Sequence, residues 1–172
     1  MMDAARKARV MQQQFKLATA SPCEHIKYCM TESINKWYIL LGGFSGNDDE
    51  FTGGEYLCRL EAPANFPYEP PHFYFMTPNG VYDLEVKVCI SVGEFHKKDY
   101  PAVLKMSGFA MQLVSGFIGY AELNGGIHLV TTTKEEKQRL AAQSREFNRT
   151  VHKDIIDLIE KHYAVYSAAW PK

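Results

Sequence analysis

Hydrophobic positions recur at two different spacings along this chain. In the first half, short runs with apolar residues at alternate positions, separated by polar turns, predict four strands. These strands lie near 24–31, 35–43, 54–61 and 72–76. A segment of alanines and basic side chains before them predicts a helix over 3–18. In the second half, apolar residues return every three or four positions, which predicts helices.

Three helices are predicted in the second half. The first is expected to start at Pro101, because proline fits the first turn of a helix, and to be the buried central helix. Its apolar positions are Val103, Met106, Ala110, Leu113, Val114 and Phe117. Thr133 and Glu136 have the spacing of a capping box and predict a second helix to about 148. A third apolar repeat runs from Val151 to Ile159.

The order of elements, one helix, four strands and then helices, predicts an α+β fold. Short connections between the strands favour an antiparallel meander over crossovers. A chain of 172 residues with 46% hydrophobic residues can bury its own core without disulfides or metals. We therefore expect a single domain over 1–172, with a core of about 3–150 and a helical extension of about 151–168.

Charge and cysteine content exclude several classes of protein. Nineteen basic and twenty acidic residues give a net charge of −1, so no overall field attracts nucleic acid or an anionic membrane. The four cysteines form no CxxC pair and follow no secretory leader, which indicates free thiols in a reducing compartment. No run approaches the ~20 apolar residues of a membrane span, although an anchor beyond Lys172 stays open. A monomer is the default expectation.

Cys89 is the leading candidate for chemistry. It follows Pro-Tyr-Glu-Pro-Pro at 67–71 and Thr-Pro-Asn-Gly at 77–80. Proline fixes its own φ and removes a backbone donor, so these motifs hold a long irregular segment in few conformations. The context predicts an exposed nucleophilic thiol rather than a core cysteine. Cys23, Cys29 and Cys58 lie in strand-like patterns and are interpreted as structural.

These motifs, followed by Cys-Ile-Ser at 89–91, resemble the ubiquitin-conjugating enzymes. Trp37 followed by Gly-Gly-Glu-Tyr at 53–56 is similar to that family's central hairpin. Thr-Thr-Lys-Glu-Glu at 132–136 continues the resemblance, which covers most of residues 3 to 150. Thr in place of the usual His before Pro-Asn, with Glu-Phe-His at 94–96, is most similar to the endoplasmic-reticulum-associated branch. Yeast and animal members of that branch carry a C-terminal membrane anchor.

The resemblance implies an acyl carrier and transferase. Cys89 would accept the C-terminal glycine of ubiquitin from an activating enzyme as a thioester and pass it to a substrate amine, usually with a ubiquitin ligase. It implies no metal or organic cofactor, because the activating enzyme consumes the ATP. The expected location is cytoplasmic, or the cytosolic face of the endoplasmic reticulum if the full-length protein carries an anchor. Protein degradation, including degradation associated with the endoplasmic reticulum, is the expected pathway.

Asn79 is the second candidate. Its amide NH2 can donate to the oxyanion that forms when an amine attacks the thioester, and one such donor is worth roughly 3 kcal/mol in acyl transfer. Asn before Gly80 is also ordinary turn chemistry, in which the side chain binds the loop backbone. The two roles are compatible, and the sequence leaves both open.

Partner contacts are implied only by the resemblance. Tyr68 falls where the family has an aromatic residue that packs on ubiquitin ligases, and Pro101 and Ala102 fall on the second ligase-contacting loop. Arg6 and Arg9 correspond to basic positions that meet the activating enzyme and the ligase. The alternative for the two arginines is a solvated helix face.

Several alternatives stay open. A His96 base would make the protein a hydrolase, but no second motif supports this. A non-catalytic ubiquitin-binding relative would normally lack the cysteine, and the motifs do not separate ubiquitin from a ubiquitin-like modifier. Glu122, Asn124 and His128 are possible gateway residues opposite the thiol by the resemblance, and how the incoming lysine is deprotonated stays open.

Two further patterns are interpreted without a function. Cys23, His25 and Cys29 lack a fourth ligand for zinc and fit a strand. Asn148 begins a glycosylation acceptor sequence, but its place at a helix junction in a leaderless chain gives that sequence little meaning.

Overall fold

The computed structural model describes residues 3–20, 23–31, 33–46, 50–88, 105–119 and 132–166, with side chains described up to residue 161. Four helices and four strands occupy these segments. They are α1 (Ala4–Ala20), β1 (Ile26–Met30), β2 (Lys36–Leu41), β3 (Tyr56–Glu61), β4 (His72–Phe75), α2 (Met106–Ile118), α3 (Lys134–Val151) and α4 (Lys153–Tyr166).

The four strands form one antiparallel sheet in the order β1-β2-β3-β4. Trp37 in β2 lies opposite Met30 in β1 and Leu60 in β3. Each strand therefore pairs with the next one along the chain. The predicted α+β fold with an antiparallel meander is confirmed.

The main core lies between one face of the sheet and helices α1 and α2. Phe117 of α2 contacts the rings of Phe51, Tyr56 and Phe75, with ring centres 4.2, 5.0 and 5.2 Å away. Phe15 of α1 packs edge-on against Trp37 at 5.2 Å. Each large ring removes apolar surface from water, which is the dominant favourable contribution to folding.

The opposite face of the sheet is covered at one end by α4. Ile156 and Ile159 pack with Leu40 and Leu57 in a second hydrophobic cluster. The same cluster contains Cys29 and Met76. Strand β3 therefore contributes to both clusters, because Tyr56, Cys58 and Leu60 point into the main core and Leu57 into the second.

Helix α3 begins where the capping box predicts. The Thr133 hydroxyl oxygen accepts a hydrogen bond from the Glu136 backbone N–H at 3.1 Å, which satisfies one of the four free donors at the helix start. The Glu136 carboxylate pairs with Arg139, one turn along the helix. The helix continues to Val151, slightly beyond the predicted end.

The predicted start of the central helix at Pro101 is wrong. Lys105 has an extended backbone (φ −71°, ψ 164°), and α2 begins at Met106. The Met106 N–H donates to Oε1 of Gln14 in α1 at 2.9 Å. A side chain from another helix thus caps α2, and this long-range contact, rather than a proline, sets its start. Pro101 itself lies outside the described residues.

Among the described segments, none of the helices has both the length and the apolar composition needed to cross a membrane.

Candidate active site

The loop after β4 is organised around the buried side chain of Asn79, which is 1% exposed. Its Oδ1 accepts hydrogen bonds from the backbone N–H groups of Val81 and Tyr82, at 2.9 and 2.8 Å. Its Nδ2 donates to the carbonyls of Thr77 and Tyr82, at 3.1 and 3.3 Å. An amide has two donors and two acceptor sites, so all of its hydrogen-bonding capacity is used within the loop.

This geometry supports the loop-shaping role that the sequence left open for Asn79. Donation to an oxyanion requires Nδ2 to release one of its two carbonyl partners. The bond to the Tyr82 carbonyl is the longer of the two. The oxyanion role of Asn79 stays a prediction.

Tyr82 closes the loop against β4. Its ring stacks on Phe75 with centres 5.0 Å apart and an interplanar angle of 8°. Burial raises the pKa of Tyr82 to about 12. Its hydroxyl therefore stays protonated near neutral pH, so it does not serve as a base for an incoming amine.

Helix α3 holds the same loop from the other side. The Thr132 hydroxyl donates to the Gly80 carbonyl at 2.5 Å, and the Thr77 hydroxyl donates to Oδ1 of Asn148 at 2.5 Å. Gly80 has φ +76°, and a Cβ there would lie 2.9 Å from Cγ of Lys137 and from Oγ1 of Thr132. Only a residue without a Cβ combines this backbone with such a close approach to α3.

The segment that leads to Cys89 runs alongside β4. The N–H groups of Glu85 and Val88 donate to the carbonyls of Phe75 and Phe73, at 2.9 and 2.8 Å. Val88 is buried in the main core. The chain is therefore fixed to the sheet up to the residue before Cys89, and Cys89 itself lies outside the described residues.

Two of the three described cysteines, Cys29 and Cys58, are poor nucleophiles, and the third, Cys23, is half-buried. Burial raises the pKa of Cys29 to about 11 and raises the pKa of Cys58 well above its ordinary value. Cys23 is half-buried. The thiolate is the reactive form of cysteine, so the folded environment suppresses the reactivity of Cys29 and Cys58 near neutral pH.

Tyr68 is 74% exposed, the most exposed of the large hydrophobic side chains described. The neighbouring Phe66 is buried in the core and anchors the loop. The Lys7 ammonium donates to the Pro63 carbonyl at 2.7 Å, which joins α1 to this loop. An aromatic ring is thus presented to solvent on a fixed support, as a partner contact requires.

Arg6 and Arg9 are exposed on α1, on either side of Lys7 in the sequence. The Arg6 backbone N–H donates a hydrogen bond to Oδ1 of Asp3 at 2.8 Å. The contact between Lys7 and Pro63 places the helix that carries both arginines against the Tyr68 loop. The other predicted site residues lie outside the described residues: Pro101, Ala102, His96, Glu122, Asn124 and His128.

The Cys23, His25 and Cys29 pattern and the acceptor sequence at Asn148, neither of which was assigned a function, have structural explanations. His25 Nδ1 forms a hydrogen bond with the Gly42 carbonyl at 2.9 Å, and its ring stacks on Phe44. Within the described segments, no group of three or more His, Cys, Asp or Glu residues could hold a metal ion. Asn148 is 1% exposed, and its side chain binds Thr77 and the Glu55 carbonyl.

The contact between Thr77 and Asn148 was not anticipated from the sequence. A signal was present, because Ser144 and Asn148 fall on the same helical face as the apolar Ala141. Polar residues on a buried face require hydrogen-bond partners. The identity of those partners depends on tertiary contacts that one sequence does not show.

Comparison with known proteins shows what this chain is similar to. No protein-family model matches the sequence. The chain is 30% identical over 139 residues to Ubiquitin-conjugating enzyme E2 34 of Arabidopsis thaliana, covering 80% of this chain and 56% of the relative. It is 27% identical over 168 residues to Ubiquitin-conjugating enzyme E2 32 of the same plant, covering 95% and 53%. Ubiquitin-conjugating enzyme E2 J2-like of Dictyostelium discoideum is 28% identical over 141 residues, covering 81% and 79%.

The chain is similar in sequence to members of the ubiquitin-conjugating enzyme family. The resemblance drawn from the motifs is thereby confirmed. Human Ubiquitin-conjugating enzyme E2 G1 has a similar fold, with a TM-score of 0.54, 20% identity, and coverage of 67% of this chain and 98% of that structure. The chain spans about half the length of the Arabidopsis members of the family that it matches.

Proposed function

We propose that this protein carries ubiquitin as a thioester on Cys89 and transfers it to an amine. The observation that carries the proposal is the Asn79 loop, which is fixed by hydrogen bonds to itself and to α3. The loop follows β4, the strand that also fixes the segment leading to Cys89. Acyl transfer needs such preorganised groups around one nucleophile. The sequence similarity to ubiquitin-conjugating enzymes supports the same reaction.

The reaction takes place in two exchanges at one carbonyl carbon. The Cys89 thiolate attacks the thioester between the activating enzyme and the ubiquitin C-terminus, and the thiolate of the activating enzyme leaves. An amine nitrogen then attacks the new thioester, loses its proton, and displaces the Cys89 thiolate to form an amide. Each step passes through a tetrahedral intermediate with a negatively charged oxygen. A preorganised hydrogen-bond donor lowers the barrier by stabilising that charge.

Asn79 serves this chemistry in two ways in our proposal. Its Oδ1 keeps the loop closed through the N–H groups of Val81 and Tyr82. Its Nδ2 leaves the Tyr82 carbonyl, the longer of its two contacts, and donates to the oxyanion during transfer. Burial supports the second role, because a donor works best where water is excluded.

The partner-binding residues follow from exposure and from the family resemblance. Tyr68 is a large exposed ring held by a buried neighbour, which suits a ligase contact. Arg6 and Arg9 are exposed cations on the helix joined to that loop, which suits binding to the activating enzyme and the ligase. Pro101 and Ala102 are proposed ligase contacts from the family resemblance alone.

We also propose that residues 1–172 form one catalytic core domain that acts as a monomer, without a cofactor of its own. The contacts of Ile156 and Ile159 with the sheet support including α4 in that domain. A cytoplasmic location, or the cytosolic face of the endoplasmic reticulum with an anchor outside this chain, fits the Thr-Pro-Asn motif. Protein degradation is the proposed pathway.

Incubation with an activating enzyme, ATP and ubiquitin tests the function. Wild type should form an adduct of one ubiquitin that reducing agent removes, and Cys89→Ala should form none. Cys23→Ala, which removes the half-buried thiol, should charge normally and serves as the matched control.

Parallel reactions with ubiquitin-like modifiers and their activating enzymes identify the modifier. Charging by one of these instead of ubiquitin would replace ubiquitin in the proposal. The absence of any adduct, together with binding of free ubiquitin, would identify a non-catalytic ubiquitin-binding protein.

A further inference from the structure

We infer that Asn148 of α3 is a positioning residue for the transfer reaction, acting through Thr77 on the loop that carries Asn79. The inference rests on the function proposed above and assigns a role to a helix side chain that does not touch the reacting atoms. Three connected sets of hydrogen bonds support it.

The first set joins Thr77 to two separate elements. The Thr77 hydroxyl oxygen accepts a hydrogen bond from the Leu57 N–H in β3 at 2.8 Å. The same hydroxyl donates to Oδ1 of Asn148 at 2.5 Å. Thr77 and Asn148 are both buried, so neither exchanges its partner for water. One hydroxyl therefore fixes the start of the loop between the sheet and α3.

The second set fixes Asn148 itself. Its Nδ2 donates to the Glu55 carbonyl at 2.8 Å, and its backbone carbonyl accepts from the His152 N–H at 2.8 Å. Because Nδ2 is held by Glu55, the amide cannot flip without losing both side-chain bonds. Oδ1 is thus directed at the Thr77 hydroxyl.

The third set passes the constraint from Thr77 to Asn79. The backbone carbonyl of Thr77 accepts a hydrogen bond from Nδ2 of Asn79 at 3.1 Å. The same residue thus binds α3 through its hydroxyl and Asn79 through its carbonyl. Further along, the Gly80 carbonyl accepts from Thr132, which precedes α3. The Asn79 loop is therefore attached to α3 through Asn148 and to the segment just before α3 through Thr132, so α3 and its N-terminal flank support its position.

Ser144 offers a matched control on the same helix. It lies one turn before Asn148, has the same exposure of 1%, and accepts a hydrogen bond from the Glu55 N–H at 2.8 Å. Its own hydroxyl donates to the Ala141 carbonyl within the helix at 2.7 Å. Ser144→Ala therefore removes a buried hydrogen bond between α3 and the residue before β3 without removing the contact to the Asn79 loop.

The first test measures amide hydrogen exchange at Val81 and Tyr82, whose N–H groups donate to Asn79. Thr77→Val and Asn148→Ala should each increase exchange at these two amides about tenfold, whereas Ser144→Ala should leave them within about twofold of wild type. Thr77→Ser keeps the hydroxyl and should restore protection. This measurement needs no activity.

The second test measures single-turnover discharge of the charged protein to free lysine. Thr77→Val and Asn148→Ala should lower the rate at saturating lysine about tenfold, with little change in the lysine concentration for half-maximal rate. The double variant should be no slower than the more affected single variant, because both substitutions remove the contact between Thr77 and Asn148. Ser144→Ala should discharge like wild type when corrected for the folded fraction.

Each result has a definite meaning. Unchanged exchange at Val81 and Tyr82 in Asn148→Ala overturns the inference, whether or not the protein charges. Increased exchange with unchanged discharge also overturns it, because the loop then moves without consequence for transfer. Equal losses of amide protection and of discharge rate in Ser144→Ala and Asn148→Ala would show a general effect of lower stability. That result would contradict a positioning role for Asn148. Failure of wild type to charge refutes the proposed function and, with it, the role in transfer, while the exchange data still report the hold of α3 on the loop.

Discussion

The backbone N–H of Tyr82 lies 2.8 Å from Oδ1 of Asn79, so a single side chain closes the turn that follows β4. The ring of Tyr82 stacks on Phe75 of the same strand, which fixes the far end of the turn. The loop is therefore held by its own residues as well as by α3. Changes at Asn79 should affect both folding and transfer, and the two effects can be measured separately.

Asn79→Ala should lower the free energy of unfolding by about 2–4 kcal/mol. The buried N–H groups of Val81 and Tyr82 lose their acceptor, and each unsatisfied buried donor costs about 1–3 kcal/mol. Urea unfolding monitored by circular dichroism measures the change. An unfolding free energy equal to that of wild type would contradict the loop-closing role.

Asn79→Ala should also slow discharge of the charged protein by about 100-fold, the effect of removing one oxyanion donor in acyl-transfer enzymes. Single-turnover discharge to free lysine, corrected for the folded fraction, measures this loss. If stability falls but discharge stays at the wild-type rate, Asn79 is structural only and our assignment of its Nδ2 is wrong.

Gly80→Ala should destabilise the protein more than Gly53→Ala. Both glycines have positive φ, +76° and +75°, so both substitutions strain the backbone by about 1 kcal/mol. A Cβ at Gly53 meets nothing within 4 Å, whereas a Cβ at Gly80 meets Lys137 and Thr132 at 2.9 Å. The added contact should cost a further ~1–3 kcal/mol. Equal losses in urea unfolding would show that the loop does not press against α3.

Thiol labelling should distinguish the cysteines in the folded protein. At pH 8, Cys29 with a pKa of about 11 has roughly one thiolate in a thousand, and burial protects Cys58 as well. Iodoacetamide should therefore modify Cys23 before either of them, as read by peptide mass spectrometry. Labelling of Cys29 should rise about tenfold per pH unit between 8 and 10, because its thiolate fraction does. Rapid labelling of Cys29 or Cys58 at pH 8 without denaturant would contradict their burial.

Tyr68→Ala should impair ligase-dependent transfer and spare the chemistry. The ring is 74% exposed, so its removal should change the free energy of unfolding by less than about 0.5 kcal/mol. Discharge to free lysine should be unchanged, whereas stimulation by a cognate ligase should fall about tenfold or more. Tyr68→Phe keeps the ring and should retain the stimulation. Full stimulation of Tyr68→Ala would exclude this residue as a ligase contact.

Local patterns predicted most of the fold. Alternation predicted a strand near 54–61, where the structure has β3, and the spacing of Thr133 and Glu136 marked the start of α3. These signals depend on neighbours in the sequence, so a single chain contains them.

Contacts between distant residues were not predictable in the same way. The cap that Gln14 provides for α2 joins residues 92 positions apart, and the bond from Thr77 to Asn148 joins residues 71 positions apart. No local spacing encodes such pairs. The sequence therefore indicated Asn79 as a site residue but not the helix that holds its loop.

The most direct test of the account is the intact mass of Cys89→Ser after incubation with ubiquitin, its activating enzyme and ATP. Serine can form an oxygen ester in place of the thioester, and that ester resists thiols. The account predicts a thiol-sensitive adduct of one ubiquitin on wild type, a thiol-resistant adduct with the same gain in mass on Cys89→Ser, and none on Cys89→Ala. An adduct of equal yield on Cys89→Ala would place the acceptor elsewhere and contradict the central claim.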